Sequence, residues 1–446
     1  MQVLFEETIA AQSTAPGEGA IAVIRISGKD ASGIARHILG LSEKALPMTT
    51  PRRMRLSRIV LRGRPIDNAL TAFFPGPSSY TGEDVLEVYC HGGLLIAAKV
   101  LEAALEAGAR LAEPGEFTRR AFLNGRMDLT QAEAVMDVIR ARAPLALEAA
   151  REQLEGGLGR AMGGLRERLL GLVANIEAWI DFPEEDIDPE TGAGFLASVR
   201  GVEAEIDALL ATADDGRILR EGIRLVLCGK PNAGKSSLLN ALLRSERAIV
   251  DAAPGTTRDT LEEAATLGGW PFRITDTAGL RETTDRVERM GVERARAAMR
   301  AADILLRVVD ATEGAPPAPE APNELIALNK TDLLSGPLVG QPDWVHPISC
   351  LTGAGFPELI EALVARARGA SAARPTALAI NARHQACLNR ARASLVEAAS
   401  ELSAGTPPEF AATGLHSALD AIGEILGVAD TEEILGEIFQ RFCIGK

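Results

Sequence analysis

Gly229-Lys-Pro-Asn-Ala-Gly-Lys-Ser236 has the spacing of a loop whose backbone N–H groups converge on phosphate oxygens at a helix N-terminus. Lys235 would reach the β and γ phosphates, and Ser236 would bind magnesium. Asp276-Thr-Ala-Gly279 puts an acid within reach of that magnesium and a glycine N–H within reach of the γ-phosphate. Asn329-Lys-Thr-Asp332 ends on a carboxylate that can accept from both N1–H and the exocyclic amine of guanine. Adenine lacks that donor pair and would leave Asp332 unpaired, so the loop selects GTP over ATP. Ser349-Cys-Leu-Thr-Gly353 falls where a further loop would cover the base, and Gly255-Thr-Thr-Arg-Asp259 where a switch loop should lie. On this reading GTP is held by Asn232, Ala233, Gly234, Lys235, Ser236 and Ser237, by Thr256, Thr257, Asp276 and Gly279, and by Asn329, Lys330, Asp332 and Ser349. After Asp-Thr-Ala-Gly, where Ras-like GTPases carry a water-orienting glutamine, stands Leu280, which cannot hydrogen-bond. Asn232 could help hold a monovalent cation beside the phosphates.

The elements that must position these loops are legible as short apolar runs: Ile223–Cys228, Phe272–Thr275, Ile304–Val309, Leu325–Leu328 and Pro347–Ser349. They alternate with helical stretches such as Ser237–Leu243, which predicts a parallel doubly wound sheet. Before them, Ile21–Ile26 and Val85–Tyr89 read as strands, and Leu94–Ala107 as a helix closed by Gly108. Residues 119–215 and 371–446 have helical composition and spacing, for example Leu129, Ala132, Val135, Met136 and Ile139. The expected architecture is an α/β P-loop GTPase domain (216–370) inserted in an all-α helical domain (119–215 plus 371–446), preceded by an α+β N-terminal domain (1–118).

No apolar run approaches the roughly 18 residues of a membrane span. Residues Met1 to Ala11 lack the basic start and apolar stretch of a secretory signal, and five scattered cysteines have no disulfide or metal-ligand spacing. A cytoplasmic protein without membrane association is expected. The net charge of −14 counts against extensive wrapping of nucleic acid. Residues 119–215 alone carry 19 acidic against 10 basic groups, which leaves room for a basic patch elsewhere.

Outside the nucleotide motifs, Tyr80-Thr-Gly-Glu-Asp-Val-Leu-Glu87, His91-Gly-Gly93, Pro114-Gly-Glu-Phe117, Arg120-Ala-Phe-Leu-Asn-Gly125, Asp181-Phe-Pro-Glu-Glu185 and Phe442-Cys-Ile-Gly-Lys446 make the chain resemble, over essentially its full length, the MnmE (TrmE) family of tRNA modification GTPases. The resemblance implies a homodimer that joins a flavoprotein, MnmG, in a heterotetramer. Together they would build an aminomethyl-type group, such as carboxymethylaminomethyl, on C5 of the wobble uridine of certain tRNAs. The one-carbon unit would come from a 5-formyl or 5,10-methylene tetrahydrofolate derivative held by the N-terminal domain, which also dimerises. It implies folate contacts at Arg25, Glu87, Arg126 and Lys446, the third being usually lysine in the family. It also implies a potassium ion on Asn232, Asp251, Ala253 and Thr256, magnesium on Ser236 and Thr257, and Glu288 as the acid that orients water.

Other readings compete. Arg52, Arg53, Arg55, Arg58, Arg62 and Arg64 suit a solvated strand face at least as well as contact with tRNA phosphate. Asp181–Glu190 reads better as an exposed acidic loop than as a metal site, and His91 as a turn residue rather than a catalyst. Cys443 stands fourth from the end, but Gly445 and Lys446 do not fit a prenylation signal. Ile434, Leu435, Ile438, Phe439 and Phe442 form an apolar stripe that would anchor a last helix and leave Cys443–Lys446 as a short projecting end near bound folate. The resemblance makes Cys443 important for modification. A regulatory GTPase such as a ribosome-assembly switch, or a folate-binding scaffold, would share the nucleotide motifs.

Overall fold

Alternating buried and exposed residues along Ile21–Ser27 and Val85–His91 mark strands with one face on a core. The computed structural model describes residues 7–41, 51–181, 190–245, 262–276, 296–336, 338, 340–368, 379–428 and 432–446. It divides into two compact units, Met1–Met136 with Gly423–Lys446, and Asp137–Ile422. The first is built on a six-stranded sheet of β1 (Ile9–Gln12), β2 (Ile21–Ser27), β3 (Arg55–Leu61), β4 (Arg64–Phe74), β5 (Val85–His91) and β6 (Arg110–Leu111), in the order β3-β4-β5-β2-β1-β6. Its pairs are antiparallel except β1 with β6. Ile24, Ile26, Leu86 and Val88 bury one face under α1 (Ala31–Ile38) and α2 (Leu94–Glu106). The period of two puts Arg25, Glu87 and Tyr89 on the other face.

In the same unit, α3 (Glu116–Leu123) carries Arg120, a charged side chain only 1% exposed. Its guanidinium donates to Glu83 Oε1 (3.1 Å), Glu116 Oε1 (2.9 Å) and the Glu7 carbonyl (3.0 Å). A buried cation is tolerated because two carboxylates and a carbonyl accept from its Nη1 and Nη2 groups. Residues Leu129, Ala132 and Met136 of α4 (Leu129–Arg140) pack with Leu435, Phe439 and Phe442 of the final helix region.

The second unit begins with α5 (Pro144–Leu154), α6 (Gly157–Asp181), α7 (Glu190–Leu210) and α8 (Ala213–Glu221). A sheet follows: β7 (Ile223–Cys228), β8 (Glu262–Leu267), β9 (Trp270–Asp276), β10 (Ile304–Asp310), β11 (Glu324–Asn329) and β12 (Val345–Pro347), ordered β12-β11-β10-β7-β9-β8. Helices α9 (Lys235–Ser245) and α10 (Phe356–Arg368) flank it, and Ile223, Leu225, Leu227, Ile304, Leu306 and Val308 lie in its core. After it, α11 (Ala382–Ala404) packs along α7, and α12 (Pro408–Leu426) follows. The P-loop domain is thus inserted within a helical domain and preceded by an α+β domain.

The sheet departs from an all-parallel one at β8. Only Gly268 and Gly269 separate β8 from β9, and both have positive φ (56° and 81°). A two-residue turn can join only antiparallel strands. The last strand ends at Pro347, so Ser349 stands in the loop beyond it. Among the described residues, no helix is long and apolar enough to cross a membrane.

Candidate functional site

The phosphate loop leaves β7 at Gly229 and enters α9 at Lys235. Gly229 has φ 137°, and a Cβ there would lie 2.3 Å from the Val308 carbonyl oxygen. Gly234 has φ 100°, and its Cβ would lie 2.2 Å from Asn329 Nδ2. Both positions therefore require glycine. Lys235 is buried, and its Nζ donates to the carbonyls of Gly229 (3.0 Å) and Lys230 (2.8 Å), which holds the cation inside the loop. Ser236 Oγ donates to Asp276 Oδ2 at 3.1 Å. The two oxygens meet where a divalent cation can bind one directly and the other through water. Ala233 is buried, whereas Ser237 and Asn232 are exposed, the latter with φ 62°.

The second group forms at the ends of β10, β11 and β12. Asn329 Nδ2 donates to the Ala233 carbonyl (3.0 Å) and its Oδ1 accepts from Cys350 N–H (3.1 Å), which ties the phosphate loop to the loop after β12. Ser349 Oγ donates to Asp332 Oδ1 at 2.5 Å. That bond orients the carboxylate and leaves Oδ2 lone pairs for a base edge. Lys330 has φ 66°, and its Nζ donates to Asp310 Oδ2 at 2.5 Å. The Lys330 hydrogen bond, with those from Thr312, holds the Asp310 carboxyl down to about 2. Asp310 is a member of this group that the motifs did not reveal. The available signal was an acid at the C-terminal end of a strand, the position that Asp276 also occupies. Glu288, Asp251, Ala253, Thr256, Thr257 and Gly279 lie outside the described residues.

A separate cluster occupies the face of the N-terminal sheet opposite α1 and α2. Arg25 and Glu87 are directly opposite on β2 and β5, and Arg25 Nη2 lies 2.9 Å from Glu87 Oε1. Tyr89 donates its hydroxyl to Glu87 Oε2 at 2.5 Å. Burial, and then that bond to a carboxylate, push the phenol up to about 12, so it stays a donor. The Arg25 guanidinium stacks over Tyr80 (5.2 Å) and Phe117 (5.7 Å), while its Nη1 is buried without a hydrogen-bond partner among the described residues. Tyr80 and Phe117 belong to the segments that carry the resemblance, yet as apolar-bodied residues they gave no chemical signal alone.

Rather than projecting, the chain terminus is pinned to this unit. Ile444 pairs with Pro114, the Cys443 carbonyl accepts from Gly115 N–H (3.4 Å), and Ser13 Oγ donates to the Gly445 carbonyl (3.0 Å). Gly445 has φ 95°, and a Cβ on it would meet the Gln12 carbonyl oxygen at 2.3 Å. Lys446 thereby joins Arg25 and Glu87: burial pushes its ammonium below the usual lysine value, the Arg25 cation adds to the effect, and Glu87 and Cys443 oppose it. Cys443 is exposed. Arg126 is exposed and lies beside Gly82, its Cγ 3.4 Å from where a Cβ there would stand. A cluster of cations beside the half-buried Tyr80, with an Arg25 N–H that has no partner among the described residues, can take an anionic, planar ligand.

A glycine loop between strand and helix, a strand-end acid beside its serine, and an aspartate poised for guanine define a P-loop GTPase. The chain matches the family described as MnmE helical domain over residues 129–443, and that described as GTP-binding protein TrmE N-terminus over residues 8–126. It is 48% identical over 459 residues to the tRNA modification GTPase MnmE of Akkermansia muciniphila, covering 99% of each chain. It is 47% identical over 460 residues to that of Symbiobacterium thermophilum, covering 99% of this chain and 100% of the relative. It is 45% identical over 469 residues to that of Moorella thermoacetica, again covering 99% and 100%. The chain belongs to the MnmE (TrmE) family of tRNA modification GTPases.

Proposed function

We propose that this GTP hydrolase acts with the flavoprotein MnmG, as a dimer within a heterotetramer in the cytoplasm, to add an aminomethyl-type group to C5 of the wobble uridine of certain tRNAs. The observation that carries the reading is the meeting of Arg25, Glu87 and Lys446, from two strands and the last residues of the sequence, around a buried Arg25 N–H with no acceptor among the described residues. These residues, with Arg126, fit a tetrahydrofolate derivative, which would supply the one-carbon unit. The chain's own part is to bind its anionic groups, stack its rings against the half-buried Tyr80, and exclude water. Cys443, exposed two residues before Gly445, is an electrostatic neighbour of Lys446 in this cluster.

In the nucleotide domain, the phosphate loop from Asn232 to Ser237 and the loops bearing Asp276, Asn329, Lys330, Asp332 and Ser349 would hold GTP. Ser236 and Thr257 would bind magnesium. Asn232, Asp251, Ala253 and Thr256 would hold a potassium ion, whose charge would stabilise the transition state where Leu280 gives no hydrogen bond. Glu288 would orient the attacking water. Mass analysis of tRNA from cells lacking this chain tests the reading: the wobble uridine should lose its C5 group. Undiminished modification would leave a regulatory GTPase.

A further inference from the structure

Residues 51–64 hold six arginines and no acidic residue, in a chain of net charge −14. They form the edge strand of the N-terminal sheet and the hairpin that joins it to β4. Every one of the six is exposed. The turn between Leu61 and Arg64 consists of Arg62 and Gly63, both with positive φ (52° and 72°), which makes it a type I′ turn. An arginine in the left-handed region costs about 1–2 kcal/mol where asparagine or glycine would cost little. Arg62 is nevertheless held there by Glu102 and Glu106 of α2, its Nε donating to Glu106 Oε2 at 3.1 Å. At the other end, Arg52 donates to the carbonyl of Ser78 (3.1 Å) and through its N–H to that of Phe73 (2.8 Å). The ribbon is thus fixed at both ends. Between them Arg53, Arg58 and Arg64 stand in solvent, and no ion pair engages them among the described residues.

We propose that this arginine ribbon is the surface on which the chain grips the phosphate backbone of its RNA substrate. The inference rests on the reading of that substrate as a tRNA. Charge complementarity is the first support, since phosphate is the ligand that Arg53, Arg58 and Arg64, engaged by no carboxylate among the described residues, fit. The sheet register is the second. Leu56 on β3 pairs with Leu70 on β4, which pairs with Tyr89 on β5, so these three share a face. Arg58, two residues from Leu56, lies on that face, and so does Glu87, two residues from Tyr89. Arg58, the midpoint of the arginine ribbon, and the Arg25–Glu87 cluster therefore belong to one continuous sheet surface, roughly 16 Å apart by strand spacing and rise. An RNA held by phosphates at the edge can lay an unstacked base over the cluster without leaving that surface.

Arginines on an edge strand also protect it from pairing with another chain. Glutamate protects an edge equally well, so the sign of the charge separates the two roles. The experiment measures binding of the full-length chain to an unmodified tRNA transcript across a KCl series. It compares wild type with the triple variants R53Q/R58Q/R64Q, R53E/R58E/R64E and R53K/R58K/R64K, and with the single variant R58Q in case a triple does not fold. GTP hydrolysis without RNA monitors the fold and should be unchanged in all. The glutamine triple should bind at least about ten-fold more weakly near physiological salt, with the slope of log K against log salt reduced by about 2–3. The glutamate triple should not bind, the lysine triple should retain the salt slope, and R58Q should lower that slope by about 1. Equal affinity and slope in wild type and the glutamine triple would overturn the proposal while leaving wobble modification intact as a reading. So would a wild-type chain with no affinity for the transcript. Lost modification in cells with unchanged RNA affinity would assign the ribbon to an acidic protein instead and overturn the proposal too.

Discussion

At the residue scale, the specificity of the nucleotide domain comes down to one carboxylate. Asp332 is oriented by Ser349 Oγ through Oδ1, so its remaining lone pairs face where a base edge would lie. An amide in its place keeps the shape but offers one acceptor and a misplaced donor. Asp332→Asn should therefore lose preference for GTP by a few kcal/mol, roughly 10²-fold in relative Kd, the cost of leaving buried donors unpaired. Competition between GTP and ATP measures this, and a wild type that hydrolyses both equally would remove the assignment. Asp310 shows what residue types alone conceal. Its carboxylate is an ordinary strand-end acid until the left-handed Lys330 brings an ammonium to 2.5 Å.

At the scale of elements, Gly234 shows why loop and loop cannot vary separately. Asn329 reaches from the end of β11 to the Ala233 carbonyl, and the space a Cβ at Gly234 would need is filled by that same amide. Gly234→Ala should displace Asn329, strain a φ of 100°, and weaken GTP binding at least about ten-fold, since both loops move together. A mutant with wild-type GTP affinity by calorimetry would show that the loop relaxes without loss. The central strands that position these loops were legible because they are largely buried on both faces and read as continuous apolar runs: Ile223–Cys228 appears with the boundaries its composition marks, whereas the edge strand β12 is only partly buried and begins before the expected run Pro347–Ser349. The hairpin of β3 and β4 was not, because arginines interrupt the alternation and the residues buried there are only Ile59, Leu61, Ala69, Thr71, Ala72 and Phe73. Edge strand β8, with Glu262 and Glu263 at its start, hid for the same reason. Pairing of the terminus with Pro114 was invisible because it depends on backbone bonds between segments 330 residues apart in sequence.

At the scale of the whole molecule, the two sets of chemical groups belong to different compact units, each with its own core. The GTP-reading loops lie wholly within Asp137–Ile422, and Arg25, Glu87, Cys443 and Lys446 wholly within the other unit. A substitution that alters one chemistry without disturbing packing should therefore leave the other intact. Cys443 is suited to the test. Its side chain is exposed, while the contacts that fix the terminus are made by its own carbonyl, by Ile444 and by Gly445. The anchoring stripe, Leu435, Phe439 and Phe442, ends just before it. Serine replaces the thiol by a group of similar size and leaves all of those contacts in place. Cys443→Ser should thus melt within about 1 °C of wild type and hydrolyse GTP at the wild-type rate, because surface changes of this kind stay within about 0.5 kcal/mol. It should also abolish the wobble modification, as measured by mass analysis of tRNA from cells carrying only the variant. A fully modified tRNA pool would reduce Cys443 to a spectator of the terminus. Joint loss of GTP hydrolysis and modification would mean that the two units do not keep their chemistries apart.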